Sequence, residues 1–404
     1  MSSTADAVIV GGGVVGTSVA FHLASLGIGR VVLCERRFLA AGATGKSGAL
    51  VRMHYTNEPE ARLAFASLPY FEHWNDMVGH GTAGFLNTGL LRIVSPENET
   101  KLRANVAMLR GVGIDTTVVG PDDVSRIVPS WNVRDIAAAA FEPKTGCADP
   151  VATTHGFAGR ARQLGADIRL HTAVTAIRVL EGRVRGVETS GGPIASPVVV
   201  IAGGAWAIPL LRQTGIDLPL HAVRIQVALF RRPQAPAAPH PICIDGINEM
   251  WLRPEGPGWG STLAGISQRQ PMADPDELDE GVDGDYVQRV RERLTRRLPE
   301  MADLAMRGGW AGVITMSGDG KPILDRHPEI EGIWFATGDS GTSFKTAPAV
   351  GRALAEWIMH GHPKIVDLRP FRAGRFADGE PLVGAHEYGD HESDLARRRN
   401  IMVG

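Results

Sequence analysis

The chain has 404 residues, 44% of them hydrophobic, and a formal net charge of −2. That length suits two domains, and the near-neutral charge excludes a general polyanion binder such as a nucleic-acid-binding protein. With no run of about 18 apolar residues and no leader-like start, the expected protein is soluble and cytoplasmic and does not cross a membrane.

The first unit is "DAVIVGGGVVGTSVAFHLASLGIGRVVLCER". Val8–Val10 read as an apolar strand, the glycines as a turn, the residues up to Leu26 as a helix, and a second strand ends at Glu35. Gly11, Gly13 and Gly16 give G-x-G-x-x-G, and Glu35 follows Gly16 by 19 positions, near the spacing of about 20 of a dinucleotide-binding unit. Gly11 permits the tight turn, Gly13 lets a pyrophosphate approach, and Gly16 lets helix and strand pack closely. Amides at the helix start, around Val14 and Val15, are placed to hold phosphates. Glu35 can accept hydrogen bonds from a ribose, with Arg36 beside it.

The next stretch, "RRFLAAGATGKSGALVRMHY", is small and hydroxyl-rich from Ala41 to Ala49. Thr44, Gly45, Lys46 and Ser47 there are candidate contacts of a long ligand. A lone Arg52 follows, then His54 and Tyr55. From Asp149 to Ala207 the pattern reads helix, strand, short meander and strand, with Val174 in the meander a candidate cofactor contact. The last strand, "PVVVIAGGAW", is a buried run closing on Gly203 and Gly204, where backbone can approach a cofactor. Cys34, Cys147 and Cys243 form no metal or redox spacing, and Cys34 in "RVVLCER" reads as a core residue.

From about His221 to Gly318 the pattern changes to half-buried strands, "MWLRP" and "STLAGIS" among them. Met250 and Trp251 are candidates for an apolar wall. One charged helix, "VQRVRERLTRRLPE" (Val287–Glu300), reads as amphipathic with a solvated arginine face. A buried strand then leads into "GDSGTSFKTAPAVGRALAEW", where Lys345 stands at a helix start, a mildly unfavourable place for a cation unless an anion is held there. "HGH" (His360–His362) reads as a helix end. "HEYGDH" (His386–His391) misses the HExxH spacing, and no metal is expected.

Three motifs in order, the first glycine unit with Glu35, "ATGKSGALVRMHY" and "GDSGTSFKTAPAVGRALAEW", resemble the flavoenzyme family of D-amino-acid oxidase, glycine oxidase and sarcosine oxidase. The resemblance spans about residues 5 to 365 and is nearest to monomeric sarcosine oxidase and the flavin-bearing subunit of heterotetrameric sarcosine oxidase. It implies an α/β fold with an α+β second domain: a discontinuous Rossmann-like FAD-binding domain (1–84, 141–217 and 319–404) and an inserted antiparallel-sheet substrate domain (85–140 and 218–318). It implies FAD contacts at Gly338, Ser340, Gly341, Thr342, Phe344 and Lys345 as well as in the first two motifs. It also implies that Arg52 and Lys345 hold a substrate carboxylate, with His54, Tyr55 and Trp251 around the substrate.

The implied reaction oxidises the C–N bond of a small secondary or N-substituted amino acid to an imine, which water hydrolyses. Covalent flavin attachment in the family uses a cysteine in the segment matching Trp310–Gly320 or a histidine in that matching Thr145–Ala152. Neither segment here contains one, so the FAD is expected to be noncovalent. Sarcosine oxidases also carry an oxygen-activating lysine on the substrate domain. The six lysines here leave Thr145–Gly320 empty, which makes Arg269 the candidate charge and leans the expectation toward a dehydrogenase with a protein or dye acceptor. Two alternatives stay open: a flavin-bearing subunit of a multisubunit amine dehydrogenase, inactive alone, and a flavin monooxygenase.

Overall fold

The computed structural model describes residues 3–232, 238–256, 260–302 and 305–389. A six-stranded sheet orders its strands Asp167–Arg169, Val31–Cys34, Ala7–Val10, Val199–Ile201, Ile333–Thr337 and Ile323–Arg326. Every neighbouring pair is parallel except the last. A parallel sheet must be covered on both faces, and the strand residues divide accordingly. Ala7, Ile9, Leu33 and Val200 pack into one apolar cluster with the helices Val14–Ser25 and Ala347–His360. Val8, Val10, Val32 and Ile201 pack into another with Val187 and Ile194 of a second, four-stranded sheet.

The two helices cross very closely. A Cβ added at Gly351 would lie 2.2 Å from the Ser18 hydroxyl. The later helix ends at His360, and Gly361 closes it in the left-handed conformation (φ 79°), a usual glycine stop.

A nine-stranded sheet stands over the first. It takes strands Leu90–Val94, Thr117–Val119 and Ala138–Glu142 from one stretch and Leu220–Arg231 to Met306–Ser317 from another. It is antiparallel apart from one pair, Ile242–Asp245 beside Leu90–Val94. Pairing with Leu90 carries the strand Ala138–Glu142 past residue 140.

Two sequence expectations change here. Ser261–Ile266 is buried along its whole length rather than half-buried. The helix Gly284–Arg297 covers one side through Ala264 and Ile266, and the Trp251 ring lies against Gly265 on the other. That helix is amphipathic, but Arg297 leaves its solvated face. It is fully buried and paired with Asp245 (2.7 Å) and Asp135 (2.8 Å). No described helix is long and apolar enough to cross a membrane.

Candidate active site

A cavity of about 510 Å³ lies between the two large sheets. Its floor is the set of loops leaving the carboxyl ends of the parallel strands: Gly11 after Val10, Glu35 after Cys34, Gly203 after Ile201 and Gly338 after Thr337. Ligands of open parallel sheets bind at such ends. The nine-stranded sheet supplies the roof through Gln226, Trp251, Arg269 and Val313–Met316.

One end is a cradle of backbone. Gly11 has φ 110°, and a Cβ there would lie 2.5 Å from the Ala202 carbonyl oxygen. Gly16 packs on the same turn, 2.0 Å from Gly11 O by the same measure, so it holds the turn from behind and does not line the cavity. The first helix starts at Gly13 with no side-chain cap. Its Val14 N–H donates to Thr44 Oγ1 (3.2 Å), and Val14 and Val15 line the cavity, so the positive pole of the helix opens onto it. Glu35 braces the glycine loop. Its carboxylate accepts from Gly12 N and Arg37 N, both at 2.7 Å, while still lining the cavity. Arg36 and Trp206 cover this end, the guanidinium 4.7 Å from the ring centroid, and both bond Asp276 of the upper half. Ser47, Val174, Gly203 and Gly204 also line the cavity.

Cys34 also lines the cavity, and burial pushes its thiol up to about 11, so it stays a neutral apolar group. Gly45 and Lys46 do not line the main cavity. A Cβ on Gly45 would meet the Ala40 carbonyl oxygen at 2.5 Å, and the Lys46 ammonium pairs with Glu280 at 2.5 Å. These contacts fasten the loop, and Lys46 lines a smaller neighbouring pocket with Arg36 and Trp206.

The other end is lined by cations around one aromatic ring. Arg52 (5% exposed) lies 4.8 Å from the Tyr55 ring centroid, and the Lys345 ammonium (6% exposed) lies 5.4 Å from the same centroid. The Arg52 guanidinium donates to the His54 carbonyl oxygen, and Lys345 Nζ donates to Thr342 O at 3.2 Å. The lysine precedes the helix and folds back over its own loop, and the electron-rich ring face offsets its unfavourable position. That loop needs left-handed backbone at Gly338, Ser340 and Gly341 (φ 62°, 52° and 83°). Gly341, Thr342 and Phe344 line the cavity with it, Phe344 resting on Phe71. His54 is buried, with Nε2 2.7 Å from Tyr388 Oη. Arg269 is half-buried and lines the cavity. Trp251 lines the roof over Gly48, whereas Met250 belongs to the core of the upper sheet.

Three groups here were not singled out in the sequence. Glu142 is fully buried behind Arg52 and accepts from Met53 N at 3.0 Å. Burial pushes its carboxyl up to about 7, against the pull of the Met53 amide and the Arg52 guanidinium. Lys321 lines the cavity in a buried pair with Glu60 (3.2 Å) and nears Glu387 (3.9 Å). Tyr388 comes from "HEYGDH", whose His391 lies outside the described residues. No local pattern marks these groups, because each is brought in by long-range packing. Among the described residues no group of His, Cys, Asp or Glu could hold a metal ion.

A glycine cradle at an open helix start, leading to a buried chamber of cations, defines a dinucleotide-dependent oxidoreductase. Comparison with known proteins specifies the dinucleotide. The chain belongs to the FAD dependent oxidoreductase (DAO) family, whose model matches residues 6–357. It is 27% identical to sarcosine oxidase subunit beta of Rhodobacter capsulatus, covering 94% of this chain and 91% of that one. It is also 27% identical to mitochondrial sarcosine dehydrogenase of Mus musculus over 93% of this chain, but spans only 42% of that protein. Among solved structures, L-proline dehydrogenase from P. horikoshii superposes with a TM-score of 0.87 at 27% identity, covering 95% of this chain and all of that one. The cofactor is FAD, and the open helix start, the Gly11 turn and the Glu35 carboxylate fit it.

Proposed function

We propose that the protein oxidises the C–N bond of a small secondary or N-substituted amino acid to an imine, which water then hydrolyses. The observation that carries this reading is the pair of buried cations, Arg52 and Lys345, on the single Tyr55 ring inside the cofactor cavity. FAD held in this cavity would supply the two-electron oxidation of the C–N bond. The chain's residues would do the rest. Residues 1–84, 141–217 and 319–404 would hold the cofactor without a covalent bond, and residues 85–140 and 218–318 would roof the substrate. Arg52 and Lys345 would hold the carboxylate and so fix the C–N bond relative to the cofactor. His54, Tyr55 and Trp251 would enclose the amine. The names of the similar sarcosine and proline enzymes support an amino-acid substrate of this kind.

The variants Arg52→Ala and Lys345→Ala test it. Each should lose roughly 2–4 kcal/mol of transition-state binding for amines bearing a carboxylate, about 30- to 1,000-fold in reduction efficiency. Amines without a carboxylate should change much less. Equal losses for both kinds would mean that the cations hold the cofactor or the fold. A second reading, a flavin-bearing subunit inactive alone, is favoured by the near end-to-end match to sarcosine oxidase subunit beta. A purified, FAD-replete chain that no amine reduces would support it.

A further inference from the structure

We propose that the stretch Val366–Gly389 is a strap that completes the substrate chamber, and that its Tyr388 limits the substituent on the carboxylate-bearing carbon of the substrate. The proposal rests on the substrate reading above and concerns residues beyond those matched by the family model, 6–357.

The strap is tied down at separated points. Arg375, fully buried, bonds both oxygens of Asp319 (2.7 and 2.9 Å), and Leu382 N donates to the same carboxylate at 2.9 Å. Gly384 then passes directly over Thr56, where a Cβ would lie 2.4 Å from the Thr56 carbonyl oxygen. Asn105 of the upper half donates to His386 O at 2.9 Å. These ties span both halves of the molecule, and what they place is Tyr388.

Its side chain is only 4% exposed to solvent yet lines the chamber. The hydroxyl lies 2.7 Å from His54 Nε2, and the ring stacks on His54 at 5.9 Å and 22°. The Arg92 guanidinium sits 4.7 Å from the ring centroid, and Leu102 and Val106 pack with it. The ring is therefore held by neighbours from several elements, and such a ring does not yield to a bulky ligand. Its place follows from a short chain of contacts. Arg52 donates to the carbonyl of His54, and the His54 ring meets Tyr388. The wall thus stands beside the carboxylate end, where the substituent on the neighbouring carbon would project. Glu387, one residue earlier, nears Lys321, which pairs with Glu60 in the same wall.

The test compares two substrates in the holoenzyme, N-methylglycine and N-methylleucine. Tyr388→Ala should raise the kcat/KM ratio of the second over the first at least tenfold, with FAD content unchanged. Gly384→Ala, outside the chamber, should shift the ratio the same way by displacing the strap. Ratios within twofold of the parent in both variants would overturn the proposal. A parent enzyme that no amino acid reduces would instead overturn the reaction assigned above. The wall is then read from the Kd values of acetate and 3-methylbutanoate, followed by perturbation of the flavin spectrum. There the larger acid should gain at least tenfold on acetate in Tyr388→Ala, and no gain would overturn the wall.

Discussion

At the scale of single residues, Glu142 is a buried carboxyl behind the Arg52 guanidinium. The carboxyl is raised to about 7 from the usual 4.5, chiefly by burial. Between those values the folded chain holds a proton that the unfolded chain releases. Its contribution to stability is therefore complete below about pH 4.5 and is lost as the pH rises to about 7. Glu142→Gln should remove that slope and be more stable than the parent at pH 8 by up to about 3 kcal/mol. Urea melts at pH 5 and pH 8 measure this, and an equal pH response in parent and variant would contradict it. The same titration touches binding. Once ionised, Glu142 would compete with the carboxylate proposed to bind Arg52, so the Kd of a carboxylate inhibitor should rise as the pH passes about 7. In Glu142→Gln that dependence should flatten.

At the scale of elements, the helix Val14–Ser25 and the helix Ala347–His360 act as one platform. The first opens its start onto the cavity, and the loop before the second carries Lys345. Gly351 lets them meet, since a methyl there would stand 2.2 Å from Ser18 Oγ and 2.7 Å from backbone. Gly351→Ala should therefore cost roughly 1–3 kcal/mol by overpacking and weaken FAD binding with it. Thermal melts of the apo-protein and FAD titrations measure the two effects, and a neutral variant would mean the crossing is looser than described. Glu35→Ala removes the brace on Gly12 and Arg37 as well as the carboxylate facing the cavity. FAD affinity should fall by about one to two decades, matching a charge-assisted hydrogen bond of roughly 1.5–3 kcal/mol. Unchanged affinity would contradict the placement of the ribose at this strand end.

At the scale of the whole molecule, what could be read from the sequence depended on chain distance. The strand, glycine turn, helix and acid of the first 35 residues form a local unit, so periodicity and spacing revealed it. Arg52 and Lys345 lie far apart, and only the ordering of three motifs tied them to one site. Burial of Ser261–Ile266 was illegible because a distant helix and Trp251 cover it. Glu142, Lys321 and Tyr388 left no signal for the same reason. The absence of a cysteine from Trp310–Gly320 and of a histidine from Thr145–Ala152 predicts that acid or heat releases all flavin as FAD. Flavin fluorescence remaining on the denatured polypeptide would contradict this. The central claim is tested most directly by mixing the FAD-bound protein anaerobically with secondary amino acids, N-methylglycine and proline among them, and with the same amines lacking the carboxylate. The account predicts that the flavin absorbance bleaches with at least one of the amino acids, and far more slowly with its decarboxylated counterpart. Bleaching that is equally fast with both would contradict the carboxylate site at Arg52 and Lys345.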